Sequence, residues 1–421
     1  MVDNVKRWLV ALLDCIFCRE DQSLSLIDLT LSLYSSYEQG IVSDLEEAID
    51  LGRTALALCP FGHPYRSLSL HNLAIVLRAR FKQQGILSDL EEAVELDRAA
   101  LALCPPGHSN RSLALNHLGI SLLMKFTQQD HLSDLEEAIA LCRAALVLCP
   151  PGHFNRSLSL SNLAHGLAIR FQLQGVLSDL EEAIELDRAS LLLCPPGNPD
   201  RPQSLNRLAV SLHIRFSQQG LQSDLDEAIE LHQAALVLRP PGNSHRSSSL
   251  SNLALCLCTR FAQQGVLSDL EDTIKLHHAA LILRPPGHPD RSMSLCNLGN
   301  SLQEKFQKYG ALSDLEEAIK FYQAALALDP NRALSLHGLA LCLHARFKRQ
   351  GVLSDLEAAV DLHRAALTFR PLGHCDRPIS LNNLAISLRS RFQQQGVLSD
   401  LEEAIELSQA ALMISPPGHS G

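Results

Sequence analysis

The tetrapeptide Ser-Asp-Leu-(Glu/Asp) begins at Ser43, Ser88, Ser133, Ser178, Ser223, Ser268, Ser313, Ser354 and Ser399, giving seven intervals of 45 residues and one of 41. A fixed period along nearly the whole chain means stacked copies of one supersecondary unit, each burying its apolar face against its neighbours. One array is expected, not several independent domains. Within a copy, Arg66 to Gln84 lacks Pro and Gly and spaces Leu70, Leu73, Ala74, Leu77 and Phe81 at helical intervals, which predicts an amphipathic helix A. Gly85 stops it, as a left-handed C-terminal cap requires, and most copies place Gly there, with Asp130 the exception. Ser88 followed by Glu91 reads as a capping box, and Asp89 places negative charge at the positive end of the helix dipole, so helix B is expected from Asp89 to Leu103. Pro105, Pro106 and Gly107 then end it and turn the chain into the next helix A.

Nine such pairs fill residues 22–417, with the 41-residue unit at 313–353. Ala11-Leu12-Leu13-Asp14-Cys15 matches Ala55-Leu56-Ala57-Leu58-Cys59, so residues 1–21 read as a degenerate remnant of helix B that caps the start; residues 418–421 are the end of a linker. The ninth helix B, Asp400 to Ile414, has no capping helix after it, from which an excerpted or truncated product with an adhesive apolar edge is expected.

Composition narrows the class further. With 46% hydrophobic residues dominated by Leu and Ala and only 5% aromatics, the chain is a folded, all-α protein and not a disordered one. Its 36 Lys+Arg against 46 Asp+Glu leave a formal net charge of -10, so no basic field exists for nucleic acid or an anionic membrane. The apolar stretch Trp8 to Phe17 is interrupted by Asp14 and falls short of the roughly 20 residues of a membrane span. Lys6 and Arg7 precede it, but no small-residue cleavage site follows, and an intracellular, cytoplasmic setting is expected.

No catalytic constellation stands out, because every Ser, His and Asp of interest recurs as part of the repeat grammar; no enzyme activity, cofactor or metal is expected. Of the 12 cysteines, Cys59, Cys104, Cys149 and Cys194 recur at one helix end and give way to Arg239 and Arg284, which marks them as small packing residues. Cys15 and Cys18 form a CxxC without a second pair and read as part of the N-terminal cap; Cys256 and Cys258 point to different faces of a helix. The linker histidines His63, His108, His153, His288, His374 and His419 sit a helix-packing distance of about 8–10 Å or more apart, too far for one zinc ion. Asn198 and Asn243 replace them, as turn residues would. Glu91, Glu92 and Glu95 with their copies read as an acidic, solvated face of helix B.

The copies resemble tetratricopeptide repeats, and among those the kinesin-light-chain type, through Gly287-His288-Pro289-Asp290-Arg291, Ser380-Leu381-Asn382-Asn383-Leu384-Ala385, and the family positions Leu384-Ala385, Ala404, Ala411 and Pro416. The resemblance covers residues 22–417 and implies a right-handed α-solenoid of stacked helix-turn-helix units. Seven residues inserted between the helices and four in the linker lengthen the family's 34-residue unit to 45. The 41-residue copy has lost the linker insertion at Asp329-Pro330-Asn331-Arg332, and a change of superhelical twist is expected there. The large apolar residue that the family places four positions after the first small residue of helix B is present only as Tyr322; other copies carry Asp97, Cys142, Asp187, His232, His277 and His363. A hydrogen bond to a neighbouring helix, for instance to Arg80 or Arg170, is the reading for this polar position, and the sequence fixes no partner.

The resemblance also implies the function: a non-catalytic scaffold that holds an extended segment of a partner protein in a groove of successive A helices. The Asn before the helix A Leu would face that groove and bond the ligand main chain, which assigns Asn72, Asn162, Asn252, Asn297 and Asn383, a series broken by Asp28, His117, Arg207 and Gly338. Opposite the core stripe of helix A, the wheel places Leu68, Asn72, Ile75 and Ala79, then Leu158, Asn162, His165 and Ile169, then Ser248, Asn252, Leu255 and Thr259, with Ile386 in the ninth copy. These form a half-apolar surface with pockets for side chains. Two other readings are self-association through the ninth copy and a sensing or positioning arm of a larger protein, since such long arrays resemble those in front of CHAT protease domains of fungal proteins.

Overall fold

A computed structural model of the chain describes residues 19–38, 45–372, 374 and 376–414. The expected N-terminal remnant over 1–18, with Cys15 and Cys18, and the linker end 418–421 lie outside the described residues. Eighteen α-helices and no strand occur among the described residues: α1 (Arg19–Glu38), α2 (Leu45–Leu58), α3 (Arg66–Gln84), α4 (Leu87–Ala102), α5 (Arg111–Gln129), α6 (Leu132–Val147), α7 (Arg156–Gln174), α8 (Leu177–Leu192), α9 (Arg201–Gln219), α10 (Gln222–Val237), α11 (Arg246–Gln264), α12 (Leu267–Ile282), α13 (Arg291–Tyr309), α14 (Leu312–Leu328), α15 (Ala333–Gln350), α16 (Leu353–Thr368), α17 (Arg377–Gln395) and α18 (Leu398–Ile414). Odd-numbered helices are the A helices of the repeat and even-numbered ones the B helices. The chain divides into two units, Met1–Cys256 and Leu257–Gly421. In each of them A and B pair as a helix-turn-helix hairpin, and hairpins stack on their sequence neighbours.

Each hairpin is held by the expected apolar stripe. Leu70, Leu73, Ala74, Leu77 and Phe81 of α3 are buried, and α4 contributes Leu90, Ala93, Val94 and Ala100. Burying such side chains stabilises each hairpin by roughly 1.5–3 kcal/mol per large aliphatic or aromatic residue. The turn between A and B depends on one left-handed residue. Gly85 adopts φ 72° and its N–H bonds the Phe81 carbonyl at 2.7 Å; Asp130, with φ 54°, does the same to Phe126 at 2.8 Å.

The start of helix B departs from the capping-box expectation. Helix α4 begins at Leu87 with Ile86 as its N-cap and no side-chain cap bond, which puts Ser88 inside the helix. Asp89 is buried and turned back across the hairpin, where Arg80 grips it with two hydrogen bonds of 2.6 and 2.7 Å. The same clamp recurs as Lys125–Asp134, Arg170–Asp179, Arg215–Asp224, Arg260–Asp269, Lys305–Asp314, Arg346–Asp355 and Arg391–Asp400. A planar guanidinium matches a carboxylate in bidentate fashion, so Asp89 serves better as a clamp between helices than as a free charge at the dipole.

The linker is fastened at both ends. The first residue of helix A reaches back seven residues to the last carbonyl of the preceding B segment: Arg66 Nη1 donates to Cys59 O at 2.5 Å, Arg111 to Cys104 O at 2.6 Å and Arg156 to Cys149 O at 2.5 Å. Arg246, Arg291 and Arg377 do so to Arg239, Arg284 and Arg370. Inside the turn, the Nδ1 atoms of His108 and His153 each accept the backbone N–H two residues on at 3.1 Å, and Asn198 Oδ1 accepts that of Asp200 at 2.8 Å. Histidine here imitates an Asx-turn, which is why asparagine replaces it.

Around the shortened linker the packing changes. Tyr322 of α14 is fully buried between two glycines: a Cβ on Gly299 would lie 3.0 Å from the ring and one on Gly338 only 2.3 Å from Cζ. Gly338 stands in the register position that most other copies fill with Asn, so the tyrosine ring fills the space of the missing side chain. Tyr322 Oη donates to Asn300 Oδ1 at 2.6 Å.

Candidate functional site

Successive A helices lie side by side within each unit, so one register position of every copy forms a row. The asparagine position joins neighbours. Asn162 Nδ2 donates to Asn116 Oδ1 at 3.5 Å, Asn252 Nδ2 to Asn206 Oδ1 at 3.2 Å, and Asn383 Nδ2 lies 3.2 Å from His337 Nε2. Arg207, which interrupts the asparagine series, donates to the Ser161 carbonyl at 2.7 Å. Each of these bonds spans 46 residues, from one copy to the preceding one. Asn72 is 2% exposed and Asn162 is likewise buried, while Asn252, Asn297 and Asn383 are half-buried. The structure uses Asn162, Asn252 and Asn383 as links between adjacent A helices. A complementary reason is packing: an A helix is covered by its own B helix and by the preceding hairpin, so Ala79, placed on the open side by the wheel, is buried as well.

A narrower strip stays accessible. In the first unit Ile75, Ile120 and Val210 are half-buried and His165 and Leu255 exposed at one register position; in the second unit Leu341 and Ile386 are half-buried and Asn300 exposed at the same position. Met124, Ile169 and Ile214 form a second half-buried row one turn on.

Beneath this strip lie the polar residues of helix B. Asp97 is not bonded to Arg80, which is engaged by Asp89 and Glu46. Its carboxylate accepts Arg78 Nη1 and Ser121 Oγ, each at 2.7 Å, and Arg78 Nη2 meets His117 Nδ1 at 2.9 Å. The likeness to a Ser/His/Asp constellation ends there, because Ser121 donates to the carboxylate and not to a histidine, and Arg78, Asp97 and Ser121 are buried. The cluster is a joint among α3, α4 and α5. In the next such joint Asp187 accepts Ser211 Oγ at 2.9 Å, and burial pushes its carboxyl up to about 7. Burial pushes the imidazoles of His232 and His363 down to about 3 and that of His277 to about 4, so all three are neutral at physiological pH.

On the outer side, Arg53–Glu92, Arg98–Glu137, Arg143–Glu182 and Arg188–Glu227 connect successive B helices of the first unit, and Arg364–Glu403 those of the second. The acidic face read from Glu92 is therefore partly neutralised. Sequence reasoning missed three side chains: the base nine residues before the Ser-Asp-Leu aspartate of every copy after the first, the arginine seven residues after most B termini, and Arg78. The first two recur at constant spacing, and that spacing was their signal. Among the described residues no group of His, Cys, Asp and Glu is arranged to hold a metal ion, and no helix is long and apolar enough to cross a membrane.

The tetratricopeptide-repeat family model matches residues 67–107, 292–330 and 379–417. No curated protein matches the sequence. Among solved structures, the chain is similar to a Podospora anserina protein described as a putative kinesin light chain with nearly identical TPR-like repeats, at 21% identity over 52% of this chain and 100% of that one, with a TM-score of 0.36. It is also similar to the human IFIT1 dimer with PPP-AAAA, at 15% identity over 92% of this chain and 94% of that one, with a TM-score of 0.46. The nine-fold recurrence, the paired helices and the three matched segments lead to one conclusion: among the described residues this is an all-α chain of stacked hairpins, three of whose copies match the tetratricopeptide repeat.

Proposed function

We propose that the chain is a non-catalytic scaffold that holds an extended segment of a partner protein along the accessible strip of its A helices. The observation that carries this reading is the row Ile75, Ile120, His165, Val210 and Leu255, accessible and largely apolar at one position of successive helices where a merely solvated strip would carry Lys and Glu. An extended peptide places alternate side chains into such pockets, while polar groups beside them bond its main chain. Asn252 and Asn297, half-buried, are the amides of the series nearest to that role, although Asn252 also links to Asn206; Asn162 serves a helix-to-helix joint and Asn72 is buried. Ile386 holds the same register position in the ninth copy, within the second unit.

The test is selection from a library of unstructured peptides displayed on phage, followed by binding of the selected peptides to variants. Leu255→Asp and Ile75→Asp are expected to lower affinity at least tenfold with helicity unchanged, whereas Asn162→Ala lowers the melting temperature. Peptides that bind both Asp variants as well as the parent chain would remove the strip from consideration.

A further inference from the structure

Two helices expose surfaces that the intervening copies bury or half-bury. In α1, Asp28 is exposed and Leu29 is 42% exposed, while their counterparts Asn72 and Leu73 in α3 are 2% and 1%. In α18, Ile405 is 50% and Leu412 76% exposed, while the counterparts in α16 are fully buried Val360 and half-buried Leu367, both covered by α17. Beside Ile405 and Leu412 lies a pocket of about 330 Å³, also lined by Ala385, Ile386, Arg389 and Ala404.

The charges on the two surfaces are opposite and unmatched. Arg389 holds the register position of Arg78, which is neutralised by Asp97 of its own hairpin; the counterpart of Asp97 is Ser408, whose hydroxyl donates to the Ala404 carbonyl. Arg389 has no acidic partner among the described residues, and Asp28 has no basic one.

The internal joints show how such surfaces meet. There, the residue at the register position of Asp28 contacts two groups of the preceding helix A: His117 meets Arg78, and Asn162 meets Asn116. Arg389 and Asn382 occupy the positions of Arg78 and Asn116 in α17. Leu73 packs with Ala48 and Ile49 of the preceding helix B, whose counterparts in α18 are Ala404 and Ile405. We propose that helix α1 of a second copy of this chain docks on the open face of α17 and α18, with the Asp28 carboxylate received by Arg389 and the Asn382 amide and Leu29 seated against Ala404 and Ile405. The contact joins two different surfaces, so it propagates from copy to copy unless the rotation closes a ring. It is weaker than an internal joint, because the Arg80–Glu46 pair has no equivalent: Ser36 stands where that arginine would be, opposite Glu402.

The experiment is sedimentation velocity on the full chain from low to high micromolar concentration, with helicity monitored in parallel. Weight-average mass is expected to rise with concentration. Asp28→Lys and Arg389→Glu alone should each move that rise to at least tenfold higher concentration, and the double variant should restore it, with helicity unchanged throughout because both residues are exposed. A chain that stays monomeric over the whole range overturns the proposal. So does self-association that ignores either single reversal, or that the double reversal fails to restore, since the covering helix would then be another one.

Discussion

Tyr322 and Gly338 show how far one side chain constrains another in this protein. A methyl group on Gly338 would lie 2.3 Å from the ring Cζ, a distance that no rotamer adjustment absorbs cheaply. Gly338→Ala should therefore destabilise the second unit by about 1–3 kcal/mol, the usual cost of overpacking, measured by thermal denaturation. Combining Gly338→Asn with Tyr322→His, which restores the residues of the other copies, should recover most of that loss. A second residue-scale prediction concerns the clamp. Arg215→Ala leaves Asp224 buried without its cation and should cost about 2–3 kcal/mol, discounted from the value for a fully buried pair because Arg215 is partly exposed. Arg215→Lys should cost less than Arg215→Ala in the same denaturation experiment, since Lys125 and Lys305 fill that role in two copies, but more than nothing, since an ammonium forfeits the bidentate match.

At the level of helices, the elements were legible and the joints between them were not. Periodicity located the A and B helices and the left-handed residue, glycine in all but the Asp130 copy, after the described A helices from α3 on, because these are local effects, decided within one or two turns of chain. It misjudged the start of helix B, since a capping box is local while the Arg80–Asp89 clamp that displaces it acts across the hairpin. It also treated helix A as having one buried face. A wheel drawn for a single copy contains no neighbour, whereas the links from Asn162 to Asn116 and from Arg53 to Glu92 span 46 and 39 residues. The described linker histidines, from His63 to His374, were read correctly as turn residues because Asn198 and Asn243 disclosed the chemistry that the position needs. One element-scale test follows from the turn between α5 and α6. Asp130→Gly removes a side chain from a left-handed conformation and should raise stability by about 0.5–1 kcal/mol in chemical denaturation, because glycine enters that region without the Cβ clash.

Across the whole molecule, stability should grow with copy number through nearest-neighbour contacts, so deleting one complete 45-residue copy should lower the melting temperature far less than deleting half a copy. The buried histidines set the pH response. Their folded-state pKa values of about 3–4 lie below the ordinary 6.5, so the unfolded chain binds protons that the folded chain refuses as pH falls below 6.5. Full stability is present above that pH and is lost on acidification, by about 1.4 kcal/mol per pH unit for each of His232, His277 and His363. Asp187 works in the opposite sense: its pKa, raised to about 7, penalises folding most above pH 7. Melting curves at pH 8 and pH 5 should show a large acid-induced drop, reduced when the three histidines become Asn, and a gain from Asp187→Asn that is larger at pH 8. The tyrosine joint bears on how such a gene can lengthen or shorten. Where neighbouring copies share the same joint chemistry, unequal crossing-over that adds or removes a copy leaves a joint that still fits. An exchange that parts the Tyr322 codon from the Gly338 codon instead brings the ring against a larger side chain of another copy, so the seventh and eighth copies are favoured to be inherited as a couple.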